Sequence, residues 1–165
     1  MIRMKHATSE ITIKALNERG VVLTDLSKIV YDMQVRYVPD LTIDECYEHI
    51  LRVLDKREVQ HAVLTGINID KLAEQKLFDE PLQSIIERDE GLYGIDEILA
   101  LSIVNCYGSI GFTNFGWLDK EKVGVIGDFD SKKHGGVHTF LDDILCAICA
   151  SACSRLAHKR IEKED

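Results

Sequence analysis

Apolar residues recur at helical spacing through the first half of the chain. Leu26, Ile29, Val30 and Met33 form one stripe, and Ile43, Tyr47, Ile50, Leu51 and Leu54 form another. Thr42-Ile43-Asp44-Glu45, just after Pro39, has the spacing of a capping box and predicts a helix start. Ala62 to Ala73 continues in the same style, interrupted by Gly66. Strand-like runs are confined to Val21-Val22-Leu23 and Val123 to Ile126. The pattern predicts an all-α protein, one compact multi-helix domain over residues 1–165, without internal repeat, low-complexity segment or linker.

Two stretches of the second half carry no Asp, Glu, Lys or Arg: the 21 residues Ile98 to Leu118 and the eleven residues Ile144 to Ser154. A run of that first length raises the question of a membrane span. Ser102, Asn105, Gly108, Ser109, Gly111, Thr113, Asn114 and Gly116 answer it, because eight of the 21 are polar or Gly. The expectation is two buried segments that meet near Tyr107-Gly108-Ser109. In the last helix Phe140, Leu141, Ile144, Leu145, Ile148 and Ala152 make one apolar face, while Cys146, Ala147, Cys149, Ala150, Cys153 and Ser154 make the other. A helix with no water-facing side before Arg155 is packed all round.

Composition narrows the partners. The chain has 165 residues, 45% hydrophobic and 29% charged, with 20 Lys+Arg against 28 Asp+Glu and a formal net charge of −8. That is ordinary for a globular domain. Its acidity argues against nucleic acid, which demands a basic excess, and against a strong grip on anionic lipid. The first ten residues lack a secretory signal's apolar stretch, and five unpatterned cysteines suit a reducing cytoplasm. Small helical domains with extensive apolar faces often pair, so a homo-oligomer is expected.

Each uncharged run begins behind an acidic pair, Asp96-Glu97 before Ile98 and Asp142-Asp143 before Ile144. Helix-start chemistry accounts for one carboxylate, and Thr139-Phe140-Leu141-Asp142 is itself a candidate capping box. Two adjacent pairs with Asp89 and Asp119 close in sequence point instead to a hard divalent cation, which takes carboxylate oxygens. Just before the second pair, Lys132-Lys133-His134-Gly135-Gly136 offers positive charge, close backbone approach and a helix N-terminus for a phosphate, with Lys120 and Lys122 adding charge.

Other signals are weaker. Cys46 and Arg52 have the spacing of a thiolate phosphatase, but they stand on an amphipathic helix rather than a Gly-rich loop. Cys146, Cys149 and Cys153 lack a fourth thiolate and read as small core residues. Asp128-Phe129-Asp130 after an apolar run resembles an aspartate-nucleophile motif, yet only 35 residues follow it. His49 and His61 read as core-edge histidines.

Three blocks together resemble the phosphatidylglycerophosphatase A family over roughly residues 89–150. They are Asp89-Glu-Gly-Leu-Tyr-Gly-Ile-Asp96-Glu97-Ile, Gly111-Phe112-Thr-Asn-Phe115-Gly-Trp-Leu118-Asp119-Lys-Glu-Lys122, and Phe129-Asp130 leading through His134-Gly135-Gly136 to Leu141-Asp142-Asp143-Ile144. The resemblance implies a Mg²⁺-dependent phosphatase acting on the terminal phosphate of phosphatidylglycerophosphate, or on another phosphorylated small molecule or lipid head group. It implies Asp96, Glu97, Asp142 and Asp143 as metal ligands and Asp119 or Asp89 as a further ligand or as the residue that orients water. Lys122 and the Lys132–Gly136 turn would hold phosphate. The chain departs from the family in lacking hydrophobic spans and the Pro-Gly-Thr motif, and in having Gly116 and Val123 where the family has Arg and Pro. Residues 1–88 show no motif of the family. The implied protein is therefore cytoplasmic, touching a membrane at most peripherally, or a non-catalytic metal-binding regulatory module.

Overall fold

The computed structural model of the chain describes residues 2–131 and 135–164, with side chains from 8 to 131 and from 135 to 163. Among these residues there are nine helices and no strand: α1 Ile2–Glu18, α2 Leu23–Gln34, α3 Ile43–Leu54, α4 Arg57–Glu74, α5 Leu82–Glu87, α6 Ile95–Val104, α7 Ser109–Glu121, α8 Val125–Asp130 and α9 Leu141–Glu164. The all-α single domain is as expected. Thr42 caps α3, its Oγ1 accepting the N–H of Glu45 at 3.1 Å. The two strand-like runs instead lead into helices, Leu23 opening α2 and Val125 opening α8.

The organising element is α9. Every residue from 141 to 154 is buried, and α2, α3, α4, α6, α7 and α8 all pack on it. Six neighbours can surround one helix because Cys146, Ala147, Cys149, Ala150, Ser151, Ala152, Cys153 and Ser154 present small side chains, which let neighbouring backbones come close. Burial raises the thiol pKa values of Cys46, Cys146, Cys149 and Cys153, so these are inert packing groups. The other uncharged run differs from expectation. It breaks at Gly108, whose φ of 80° is a turn conformation, but α6 and α7 bury only one face each. Ala100, Ile103, Val104, Phe115 and Leu118 point inward, whereas Ile98 is 64% exposed and Phe112 and Trp117 also face outward. Missing charge does not mean buried when a second helix covers only one side.

The start of α9 is held by side chains remote in sequence. Asp70 of α4, fully buried, accepts the backbone N–H groups of Phe140 and Leu141, both at 3.0 Å, one on each carboxylate oxygen. Thr139 makes no capping box; its Oγ1 donates to the carbonyl of Ile86 at 2.5 Å and ties the end of α5 to the start of α9. Upstream, Glu74 accepts from the N–H of Val137 at 2.8 Å, and Arg19 pairs with Glu74 while donating to the carbonyl of Val137 at 2.7 Å. Gly136 has a φ of 74°, and a Cβ there would lie 2.4 Å from Glu74 Oε1, so this position requires glycine. Asp70→Ala leaves two buried amide donors unsatisfied and should destabilise the fold by ~2–4 kcal/mol in urea denaturation. Asp70→Asn keeps one acceptor and should lose less.

Candidate active site

Around the first turn of α9 the fold collects acids from four other elements. Asp142 and Asp143, each 3% exposed, project from α9. Asp96 and Glu97 come from the first turn of α6 and Asp119 from the last turn of α7. Asp130 ends α8, and Asp89 stands in the turn after α5, placed there by the Thr139–Ile86 tie. Among the described residues one cation lies among them. Lys122 Nζ is 2.7 Å from Asp119 Oδ1, 3.6 Å from Asp142 Oδ2 and 3.8 Å from Asp143 Oδ1.

The cluster has two sides. Asp89, Asp130 and Asp142 each offer a carboxylate oxygen, and the three oxygens lie within 4.8 Å of one another. On the other side the carboxyl of Asp143 lies beside those of Asp119 and Asp96, and that of Asp119 beside Glu97, close enough to shift one another's pKa. Asp142 Oδ1 accepts the N–H of Asp143 at 2.8 Å, which fixes the side chain at the junction. All six carboxylates expected from the sequence therefore meet. Asp142 groups with Asp89, whereas Asp96, Glu97 and Asp143 share the Asp119 side. Asp130 had not been singled out as a site residue. Its signal was present, since Phe129-Asp130 heads the third motif block, but its place opposite Asp89 depends on how α8 packs.

The electrostatics show what the cluster lacks. Burial, then the neighbouring charge of Asp142, pushes the Asp143 carboxyl well above the ordinary range. Burial and the charge of Asp89 push Asp142 the same way, partly countered by Lys122. The acids around Lys122 raise its pKa against the effect of burial. Asp119 is held low chiefly by Lys122, despite desolvation. Among the described residues Lys122 is the ammonium set against Asp119, Asp142 and Asp143. The all-oxygen donor set on Asp89, Asp130 and Asp142 fits a hard divalent cation. Asp89 and Lys122 have φ values of 55° and 49°, a left-handed conformation that non-glycine residues rarely adopt. Two residues of the site are thus held in unfavourable backbone conformations by their surroundings.

The phosphate cradle expected at the start of α9 is not formed by the described backbone. Asp70 takes the N–H groups of Phe140 and Leu141, Glu74 takes that of Val137, and Gly136 faces Glu74. Carboxylates of α4 occupy the donors that a phosphate would need. Of the expected binding residues, Gly135 and Gly136 lie in this pinned turn, while Lys132, Lys133 and His134 fall outside the described residues. Lys120 is exposed on the last turn of α7. Among the described lysines, Lys122 is the one brought against the acids.

A helical domain wrapped around one buried helix, with a carboxylate-rich polar centre at that helix's N-terminus, defines the class. The chain belongs to the phosphatidylglycerophosphatase A family, which it matches over residues 13–158. The match includes most of residues 1–88, where no motif had been found. That is reasonable, since α2, α3 and α4 supply packing surface and Asp70 rather than the acids. The chain is 55% identical to the uncharacterized protein YpjQ of Bacillus subtilis over 156 residues, covering 94% of this chain and 88% of that one. It is 59% identical to the uncharacterized protein YutG of the same organism, covering 87% of each. The crystal structure of YpjQ superposes with a TM-score of 0.91 at 54% identity, covering 96% of this chain and 98% of that one. The low temperature requirement C protein of Listeria monocytogenes superposes with a TM-score of 0.90 at 52% identity, covering 94% and 98%. Among the described residues no helix is long and apolar enough to cross a membrane.

The raised carboxyl pKa values fix the sign of a pH effect. An acid whose folded pKa exceeds its unfolded value stabilises fully below the unfolded value, ~4, and loses that contribution as pH rises. Metal-free protein should therefore melt at a lower temperature at pH ~8 than at pH ~6, with a slope of at most ~1.4 kcal/mol per unit for each group. Mg²⁺ should raise the melting temperature more at the higher pH, because binding displaces those protons. Asp142→Asn should flatten both responses in thermal melts.

Proposed function

We propose that this protein is a Mg²⁺-dependent phosphatase that hydrolyses a phosphomonoester. Family membership makes phosphatidylglycerophosphate the first substrate to test. The observation that carries the reading is the gathering of carboxylates at the start of α9, with Asp119, Asp142 and Asp143 against Lys122 and Asp89, Asp130 and Asp142 grouped tightly enough to share a cation. Those three would hold Mg²⁺, with Asp143, Asp96 and Glu97 available on the other side of the cluster. Bound there, the cation supplies Lewis acidity and neutralises charge on the phosphoryl oxygens.

The residues of the chain do the rest. Lys122 stays protonated and offers N–H donors to a phosphoryl oxygen entering between Asp119 and Asp142. Asp119, ionised and partly exposed, orients a water and accepts its proton as the oxygen attacks phosphorus. The ester P–O bond breaks, and the departing alkoxide takes up a proton to leave as the alcohol. Buried Asp142 and Asp143 keep the other groups in register. A soluble phosphomonoester is the second substrate reading, favoured because no described helix is long and apolar enough to place the site within a bilayer.

Phosphate release should be measured from phosphatidylglycerophosphate in mixed micelles and from soluble phosphomonoesters, with and without Mg²⁺. Release from at least one substrate is expected, abolished by removing the cation. Asp142→Asn and Lys122→Met should each lower kcat/KM by about 100-fold or more while circular dichroism stays helical. A folded protein that binds Mg²⁺ but releases no phosphate from either class would leave the metal-binding regulatory module as the better account.

A further inference from the structure

A second polar site lies at the far end of the buried helix. Asp142 and Arg155 are thirteen residues apart on α9, about 20 Å along the axis. There α3 and the later turns of α9 border a cavity of about 700 Å³, lined by Asp44, Glu45, His49, Arg52, Arg155 and Lys159 among others. No group in it takes part in the proposed phosphatase chemistry.

The deep part of this cavity is short of hydrogen-bond partners. His49 is 4% exposed, and its Nδ1 is buried and makes no hydrogen bond. The Arg155 Nε–H is buried and equally unmatched. Buried polar atoms are almost always paired, so two orphans lining one cavity imply a missing partner. Its sign follows from the charges. Among the described residues Arg155 has no carboxylate ion-pair partner. Burial, then the positive charges of Arg155 and Lys159, hold the His49 imidazole neutral, with a pKa lowered to about 4, and Glu45 only partly opposes them. A neutral imidazole can carry its hydrogen on Nδ1 and donate it. The acids belong to the outer part. Asp44 and Glu48 are exposed, and Glu45 faces Lys159 at 4.0 Å. Solvent screens them, whereas the guanidinium lies deeper.

We infer that this cavity binds a small oxyanion, a carboxylate or phosphate group, which accepts hydrogen bonds from Arg155 Nε–H and His49 Nδ1–H beneath Arg52 and Lys159. The volume exceeds that of the oxyanion alone, so the ligand can carry a further body toward the polar rim. The site is separate from the acidic cluster and does not rest on the phosphatase reading.

The test is titration of metal-stripped protein with inorganic phosphate and, separately, with acetate at matched ionic strength, followed by ¹H–¹⁵N NMR. Saturable shifts at residues 44–52 and 155–159 are expected. A response to phosphate alone identifies a phosphoryl ligand, one to acetate alone a carboxylate, and one to both the shared oxyanion chemistry. Arg155→Gln should weaken binding about tenfold. Lys159→Gln, on the exposed rim and without risk to the core, should weaken it about threefold. Asp142→Asn, at the other end of α9, should leave it intact. No saturable response to either anion at millimolar concentration overturns the inference. So does unchanged affinity in both cavity variants, or loss of binding in folded Asp142→Asn, which would move the anion to the acidic end.

Discussion

The structure depends on burying the N-terminal end of one helix together with two adjacent carboxylates. Such an end is costly twice over, because its first amide groups have no partner within the helix and its acids are stripped of water. Asp70 meets the first demand from α4, accepting two N–H groups of the α9 start. The second demand is met only in part. Among the described residues Lys122 is the ammonium set among Asp119, Asp142 and Asp143, and the carboxylates of Asp89, Asp130 and Asp142 stand close together. Burying such carboxylates side by side raises the pKa values of Asp142 and Asp143.

The other elements are arranged around this helix start. Helices α6, α7 and α8 bury one face against α9 and each brings acids to its first turns, so packing and chemistry are the same contact seen from two sides. The α5–α9 tie through Thr139 and Ile86 carries Asp89 to the same place. The amphipathic helices of the first half contribute differently: α4 and the end of α1 pin residues 136–141 through Asp70, Glu74 and Arg19. Their role is to hold a backbone in position. This accounts for a family match that runs from residue 13 although the acidic motifs begin at residue 89.

Much of this was legible in the chain. Stripes at Leu26–Met33 and Ile43–Leu54, the Thr42 cap and the two-sided α9 all follow from local pattern. The acidic pairs at 96–97 and 142–143 were conspicuous because nothing charged follows them. Other features were not legible. Asp130 followed a short apolar run that resembled a strand, and only the helical turn of α8 points it toward Asp89. Thr139 had the spacing of a cap, but a carbonyl 53 residues away competed for its hydroxyl. The Gly-Gly turn seemed open to phosphate because its occupants, Glu74 and Asp70, lie more than sixty residues earlier. His49 read as a core-edge histidine, and only its juxtaposition with Arg155 made it part of a cavity.

By itself the sequence determined the helical class, the buried character of α9 and the presence of a carboxylate centre. These are set by spacing, burial preference and charge, which act over a few residues. Tertiary structure decided which carboxylates face one another, which cation stands between them and which backbone donors are already taken. Those outcomes depend on distances of a few ångströms between groups far apart in the chain, where a helix rotated by one residue would bring different side chains together.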